Sequence, residues 1–160
     1  MKKSVIIIII IMLSLLVGCS QREVEASELQ NRNGIYYVVN EEEPFTGKYV
    51  NHYDNGQVKV DGGFKEGLRQ GEFIFYYENG QVKSNENYKD GKLHGEGIKY
   101  YEDGQVELDL NYKDGKLHGE YIEYYTSENS NLGPEGIEMK FIYEDGEIVK
   151  EIIKSGLRVD

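Results

Sequence analysis

Two identical ten-residue segments, NYKDGKLHGE at 87–96 and at 111–120, each place a histidine two residues before a glutamate. The histidines, His94 and His118, and their neighbouring carboxylates are residue types that act as general bases or bind metal ions. The two segments could therefore be two copies of a reactive site or two copies of a structural unit. A comparison of equivalent positions along the chain separates these hypotheses.

The glycine inside this segment recurs every 24 residues, as Gly47, Gly71, Gly95 and Gly119. The residue before it changes from unit to unit, in the order Thr46, Gln70, His94 and His118. Threonine and glutamine cannot take up a proton as a catalytic base does. The glycine therefore meets a backbone requirement, and the position before it requires only a polar side chain.

A metal site shared by the two histidines is disfavoured by distance. Equivalent positions one unit apart are separated by two strands, about 9.6 Å. Two nitrogens on one zinc ion lie roughly 3.4 Å apart. His52 belongs to a different column, with Tyr76, Tyr100 and Tyr124, and we interpret it as a substituted aromatic. Signatures such as HExxH and GxSxG are also missing, so we predict no catalytic residue, no metal ligand and no cofactor.

The 24-residue unit carries two turn signals and two strand signals. Asn-Gly or Asp-Gly pairs alternate with Tyr-, Phe-, Ile- and Val-rich runs such as GEFIFYY, which favour strands. The predicted structural turn glycines are Gly56, Gly80, Gly104, Gly67, Gly91, Gly115, Gly47, Gly71, Gly95 and Gly119. Two turns per unit make each unit a β-hairpin. The sequence predicts an all-β fold: an elongated, single-layer antiparallel meander of about ten strands.

The first and last units are atypical, as expected for the ends of a repeat array. IYYVV at 35–39 is predicted to form a capping strand, and EPFTGK at 43–48 is a degraded copy of the LHGE segment. TSENSNLGPEG at 126–136 replaces a tight turn and predicts an extended loop. The pattern then recovers in a closing hairpin over Asp145 and Gly146.

These residues carry a family resemblance. DGKLHGEGIKYYEDG at 90–104 resembles a MORN repeat, a short glycine-rich β-hairpin module. YYENGQVK together with NYKDGKLHGE resembles the bacterial variant of this repeat, found in YwqK-like proteins described as antitoxins. The resemblance covers about residues 42–146. One departure is that Gly62 is replaced by Glu86 and Leu110 in later units.

The first 18 residues are typical of a signal peptide, with Lys2 and Lys3 before an apolar run that is short for a membrane span. An uncleaved anchor is the alternative. Leu16-Val17-Gly18-Cys19 resembles the lipobox of bacterial lipoproteins, which implies cleavage before Cys19, the single cysteine, and attachment of lipid to it. We expect residues 1–18 to be removed, residues 19–33 to form the lipidated cysteine and a flexible tether without strands, and residues 34–160 to form the repeat domain.

The formal net charge of −11 narrows the choice of partners. Phosphates and anionic headgroups repel so acidic a chain, so we expect no nucleic-acid partner, and membrane attachment only through the lipid on Cys19. Simple solubility is the alternative role of this charge. The lipoprotein resemblance implies an extracytoplasmic protein, on the outer membrane if the cell is Gram-negative.

Aromatic residues supply a candidate protein-binding surface. The chain has 14 tyrosines and 5 phenylalanines, and pairs of neighbouring tyrosines recur every 24 residues, with their two side chains on opposite faces of a strand. The candidate residues are Tyr53, Tyr77, Tyr101, Tyr125, Tyr76, Tyr100 and Tyr124. Tyrosine is favoured at interfaces, but stacked tyrosines also stabilise a thin sheet, and we expect both faces to carry aromatic ladders.

The predicted function is non-enzymatic: a lipid-anchored envelope protein that binds another protein through its β-repeat sheet. The resemblance implies an antitoxin or immunity role against a toxin. The alternative is a surface module that contacts host or neighbouring cells. An enzyme is the third alternative and would require a cleft with converging titratable groups.

Overall fold

The computed structural model describes residues 22–125 and 137–155. The signal segment, Cys19 and the loop predicted at 126–136 lie outside these residues. Among the residues described, no helix is long and apolar enough to cross a bilayer.

Thirteen strands and one short 3-10 helix make up the described chain. The strands are β1 (Glu23–Glu25), β2 (Leu29–Arg32), β3 (Ile35–Val38), β4 (Gly47–His52), β5 (Val58–Lys65), β6 (Leu68–Arg69), β7 (Gly71–Tyr76), β8 (Val82–Lys89), β9 (Lys92–Tyr100), β10 (Val106–Lys113), β11 (Lys116–Tyr124), β12 (Ile137–Glu144) and β13 (Glu147–Ser155). The helix, Ala26–Glu28, joins β1 to β2.

One open sheet holds eleven of these strands, in the order β1-β4-β5-β7-β8-β9-β10-β11-β12-β13, with β6 beside β5. From β4 onward, each two neighbouring strands in this order pair in antiparallel fashion. The predicted β-meander is confirmed, and so is the closing hairpin, β12 and β13. β1 makes the sheet mixed, because it pairs with β4 in parallel.

One kind of turn is a three-residue loop between Tyr77 and Gln81. The Gly80 N–H donates to the Tyr77 carbonyl (2.9 Å), and the Tyr77 N–H donates to the Gln81 carbonyl (2.8 Å). Gly80 has φ +85°, and the Asn79 carboxamide oxygen accepts the Gln81 N–H (2.9 Å). This is the three-residue hairpin in which glycine takes the left-handed position. The same bonds recur at 53–57 and 101–105.

The other kind of turn has two residues. Asp90 and Gly91 have φ of 49° and 79°, which is the geometry that favours Asp-Gly in tight hairpins. The Gly91 N–H donates to the Arg69 carbonyl of the preceding unit (2.9 Å). Equivalent inter-unit bonds are made by the glycine at 67, at 115 and at 146. These turns therefore connect successive units as well as successive strands.

The assignment of four predicted glycines to turns is wrong. Gly95 and Gly119 have positive φ but lie inside β9 and β11, beside breaks in the strand register. Gly71 and Gly47 begin strands, and only Gly71 has a positive φ. These positions absorb bulges or close contacts, which also require glycine.

The expectation that residues 19–33 form a tether without strands is wrong from residue 23 onward. β1 lies beside β4, where the Lys48 N–H donates to the Arg22 carbonyl (2.8 Å), and the Val24 side chain is buried. β2 pairs with β3 in a separate two-stranded sheet, so the predicted capping strand at 35–39 is present. β1 was not predicted because a strand of three residues is too short to show a hydrophobic periodicity in the sequence.

The core lies at the N-terminal end of the sheet, where this cap packs against it. Its buried members are Val24, Val38, Phe45, Val60, Phe64 and Phe73. Beyond Phe73, Leu110 is the one buried apolar side chain among the residues described. The fold is a single layer over the later units, and it has a second layer only at the capped end.

Candidate binding faces of the sheet

One row of side chains crosses the sheet from β4 to β13 on a single face. Its members lie directly opposite one another on successive strands, and directly opposite residues share a face. The row is Val50, Asp61, Ile74, Asn85, Ile98, Asp109, Ile122, Lys140 and Ile152. From Ile74 to Ile122, every one of these side chains is partly exposed. We call this side of the sheet the isoleucine face.

A glutamate column runs beside the isoleucines, two residues earlier on each strand. Its members are Glu72, Glu96 and Glu120. The Asn85 amide nitrogen donates to Glu72 (2.6 Å), and the Lys140 ammonium forms an ion pair with Glu120. Burial, with Glu96 and Glu120 nearby, raises the pKa of Asp109, and Lys140 opposes this effect. Negative charge is therefore concentrated at the middle of the isoleucine face.

The opposite side of the sheet, the aromatic face, carries packed rings. Phe73 lies 5.7 Å from Phe64 and 5.1 Å from Tyr88 between ring centres. The Arg69 guanidinium lies 5.2 Å from each of the Phe73 and Tyr88 ring centres and donates to the Tyr88 hydroxyl (3.1 Å). Further along, Tyr121 packs against Phe141 and Tyr143. This face therefore carries two clusters of packed rings, and none of these rings belongs to the candidate tyrosine columns.

A further surface feature is an open groove of about 430 Å³. Its lining includes lysine side chains. Lys59 lies 5.2 Å from the Tyr53 ring centre, and Lys83 lies 5.4 Å from the Tyr77 ring centre. Phe75 lies between them in the groove lining. Glu86 and Glu107 line the same groove and offset much of this positive charge.

The first column of candidate tyrosines holds the units together. The hydroxyls of Tyr53, Tyr77 and Tyr101 donate to the carbonyls of Tyr76, Tyr100 and Tyr124, at 2.6, 2.7 and 2.9 Å. Each donor therefore bonds to the residue 23 positions later, in the next unit. Tyr125 lies 3.5 Å from the Met139 sulfur. The hydroxyls of this column are engaged in structural bonds, whereas Tyr100 and Tyr124 end the strands that bear Ile98 and Ile122.

Tyr77→Phe should lower the free energy of unfolding by about 1 kcal/mol, because it removes one hydrogen bond and leaves the Tyr100 carbonyl without that donor. The measurement is equilibrium urea unfolding. Tyr100→Phe is the matched control, because within the described residues its hydroxyl makes no hydrogen bond. Equal stability of the two variants would mean that the Tyr77 hydroxyl does not link the units.

The histidines belong to a column that caps turns. Thr46 Oγ1 accepts the backbone N–H of Glu66 (2.8 Å), and Gln70 Oε1 accepts that of Asp90 (3.1 Å). His118 Nδ1 accepts the N–H of Asp145 (3.5 Å). Each of these side chains thus holds the two-residue turn of the next unit. This bond to the turn N–H is the physical reason why the position before the repeated glycine requires a polar side chain.

His94 and His52 each face a carboxylate. His94 Nδ1 lies 3.5 Å from Asp114, at the turn that its column position caps. His52 Nδ1 lies 3.1 Å from a carboxylate oxygen of Glu25, so its interpretation as a substituted aromatic missed a polar contact with the N-terminal cap. No cluster of three or more metal-binding side chains occurs among the residues described.

Tyr121 should make the protein sensitive to alkaline pH. Burial, with Glu123 nearby, raises the pKa of Tyr121 to about 12. An unfolded tyrosine ionises near pH 10, so the unfolded state loses this proton first. The contribution of Tyr121 to stability should be constant below about pH 10 and should be lost as pH rises from about 10 to 12. Urea midpoints measured across this window test the expectation. Tyr121→Phe should flatten the decline, and an unchanged slope would contradict it.

Two segments of the chain, residues 69–90 and 93–114, match the MORN repeat variant. They correspond to the hairpins β7–β8 and β9–β10 with their flanking turns. No curated protein matches the chain. One similar solved structure is the crystal structure of the GtfA/B complex bound to UDP and GlcNAc, at 14% identity and a TM-score of 0.24, over 72% of this chain and 23% of that one. The two segments that match the MORN repeat variant lie in the middle of the sheet.

Proposed function

We propose that this chain is a non-enzymatic, lipid-anchored protein of the cell envelope that holds a protein partner on its repeat sheet. MORN repeats are generally associated with protein or membrane binding. The observation that carries the proposal is the isoleucine face. There Ile74, Ile98 and Ile122 are partly exposed on an open sheet. A row of apolar side chains at regular spacing beside carboxylates is better suited to bind the surface of another protein than to bind a small molecule.

The residue types that suggested catalysis have structural roles, which supports a binding function. Thr46 and Gln70 occupy the column of His94 and His118, and three of these four side chains accept a turn N–H. The negative charge of the chain favours a basic partner through complementarity. An immunity role against a basic toxin arriving from outside the cell fits both properties.

The position of β1 would place the domain close to the membrane. If Cys19 carries the lipid, only three peptide units separate it from Arg22, where contact with the sheet begins. That distance is at most about 11 Å, against about 50 Å for an extended fourteen-residue tether. The capped end of the sheet would then lie next to the bilayer, and the later units would project away from it.

Cys19→Ser should move the protein from the membrane fraction to the soluble fraction, because the lipid chains supply the anchoring energy. The measurement is fractionation of the expressing cells, with intact-mass analysis of the mature protein. Ser20→Ala is the matched control and should stay with the membrane. Membrane retention of Cys19→Ser would favour an uncleaved anchor instead.

Partner binding itself is tested by affinity capture. The bait is the mature chain with Cys19→Ser, presented to envelope and secreted fractions of the producing organism. We expect the bait to retain one basic protein in stoichiometric amount. This captured protein should harm cells that lack the bait protein. A capture that retains no protein above a blank column would remove the support for an immunity role.

A further inference from the structure

We propose that the isoleucine face docks a cationic, extended segment of the protein partner. In this arrangement, lysine or arginine side chains pair with Glu96 and Asp109, and aliphatic side chains pack on Ile98 and Ile122. This inference rests on the proposed partner-binding function and specifies the surface and the chemistry that it recognises.

Charge is distributed along this face in a way that selects a cation. Lysines occur at its two ends: Lys48 on β4 contacts Asp61 (3.2 Å), and Lys140 on β12 pairs with Glu120. Between them, on β7 to β11, the row and the glutamate column contain carboxylates and amides but no lysine or arginine. Lys140 neutralises Glu120 from the edge of this stretch, whereas Glu96 and Asp109 form no ion pair with a lysine or arginine in the part of the chain that the structure describes.

The electrostatic state of Asp109 agrees with this distribution. Asp109 lies directly between Ile98 and Ile122, and its pKa is raised by burial and by the charges of Glu96 and Glu120, although Lys140 lowers it in part. A cation placed there would relieve the repulsion between Asp109 and Glu96, because it would interact with both carboxylates at once. An anionic membrane surface would add to the repulsion, so a headgroup layer is the wrong partner for this face.

The spacing of the face indicates an extended partner. The isoleucines recur on every second strand, at about 9.6 Å. An extended polyproline-II chain repeats every three residues, at about 9.3 Å. A segment that crosses the strands could therefore present every third side chain to successive units, where each meets the same pair of glutamate and isoleucine.

Three synthetic peptides test the proposal against the mature chain with Cys19→Ser. The probe is KISKISKISKIS, which has lysine at every third position. The second peptide has the same composition with its four lysines adjacent, and the third has glutamate in place of each lysine. We expect the probe to bind most tightly, by titration calorimetry, and the acidic peptide not to bind. Affinity should fall as salt concentration rises, because the contacts are charged. Equal binding of all three peptides, or of none, would overturn the proposal.

Matched variants locate the binding surface. Glu96→Gln with Asp109→Asn should weaken binding of the probe about tenfold, because it removes the two central carboxylates. Glu78→Gln with Glu102→Gln removes the same charge from exposed loop positions and should change affinity less than about twofold. Ile98→Thr keeps the branched shape and should also weaken binding. Equal losses in the two double variants would mean that overall charge, and not this face, attracts the peptide.

The same variants separate this inference from the proposed function. If the double variant at Glu96 and Asp109 captured the partner from cell fractions as well as the unmodified chain did, partner binding would stand. The isoleucine face would then not be the docking surface. Circular dichroism and urea unfolding of each variant confirm that the sheet is intact before binding is compared.

Discussion

Phe73→Ala is expected to lower the free energy of unfolding by about 3–5 kcal/mol, the largest effect that we predict for a single side chain. Among the residues that the structure describes, Phe73 is the largest fully buried side chain, at 0% exposure. Its ring packs against Phe64 and Tyr88, and truncation would leave a cavity under the capped end. A loss of this size is a large part of the stability of an ordinary domain, about 5–15 kcal/mol.

Equilibrium urea unfolding measures this loss, and Phe141→Ala is the matched control. Phe141 packs against Tyr121 but is partly exposed in a later unit, so its truncation should cost about 1–2 kcal/mol. The difference between the variants reports whether the core is concentrated at the N-terminal end. If both variants lost the same stability, the energy would be spread evenly along the repeats.

Gly47→Ala is expected to detach the N-terminal strand and to cost about 3 kcal/mol, at the upper end of typical overpacking. A Cβ at this position would lie 2.2 Å from the Arg22 carbonyl oxygen and 2.7 Å from the Phe45 ring. The carbonyl belongs to the backbone and cannot rotate away, so β1 must move. The Lys48 N–H would then lose the bond to Arg22.

Limited proteolysis, followed by mass spectrometry, measures this detachment through cleavage between residues 22 and 32. Gly63→Ala is the control on the neighbouring strand, because a Cβ there would make ordinary contacts, at 3.5 Å from the Gln70 oxygen and 3.8 Å from the Gly47 oxygen. Gly63→Ala should leave the protease pattern and the stability nearly unchanged. Resistance of Gly47→Ala to cleavage would show that the first strand does not need this close contact.

The departure from the strict repeat at Gly62 has a packing cause. A Cβ on Gly62 would lie 2.5 Å from the Phe73 ring, so this glycine makes room for the central core residue. Later units have Glu86 and Leu110 at the same column. Glu86 accepts the Tyr88 hydroxyl (2.8 Å), and Leu110 is buried. The residue type at this position of each unit is therefore determined by its local neighbours and not by the repeat.

The sequence by itself determined the period, the strands of the repeated units and their tight turns. Paired φ values above zero at positions such as Asp90 and Gly91 are a local requirement, and the chain repeats that requirement every 24 residues. Period-two strands between such turns can form only hairpins, so a meander followed. Local chemistry that is repeated in register was sufficient for this much of the fold.

The tertiary structure alone decided what each repeated side chain does. Tyr77 bonds to a carbonyl 23 residues away, and Gln70 caps a turn 20 residues away. The parallel pairing of β1 with β4 joins residues about 25 positions apart, and no sequence pattern predicts this pairing. These contacts depend on how successive hairpins lie beside one another, which is set by sheet twist and packing. No short stretch of sequence encodes that arrangement, so the cap, the division of the two faces and the capping role of the histidines became visible only in the folded chain.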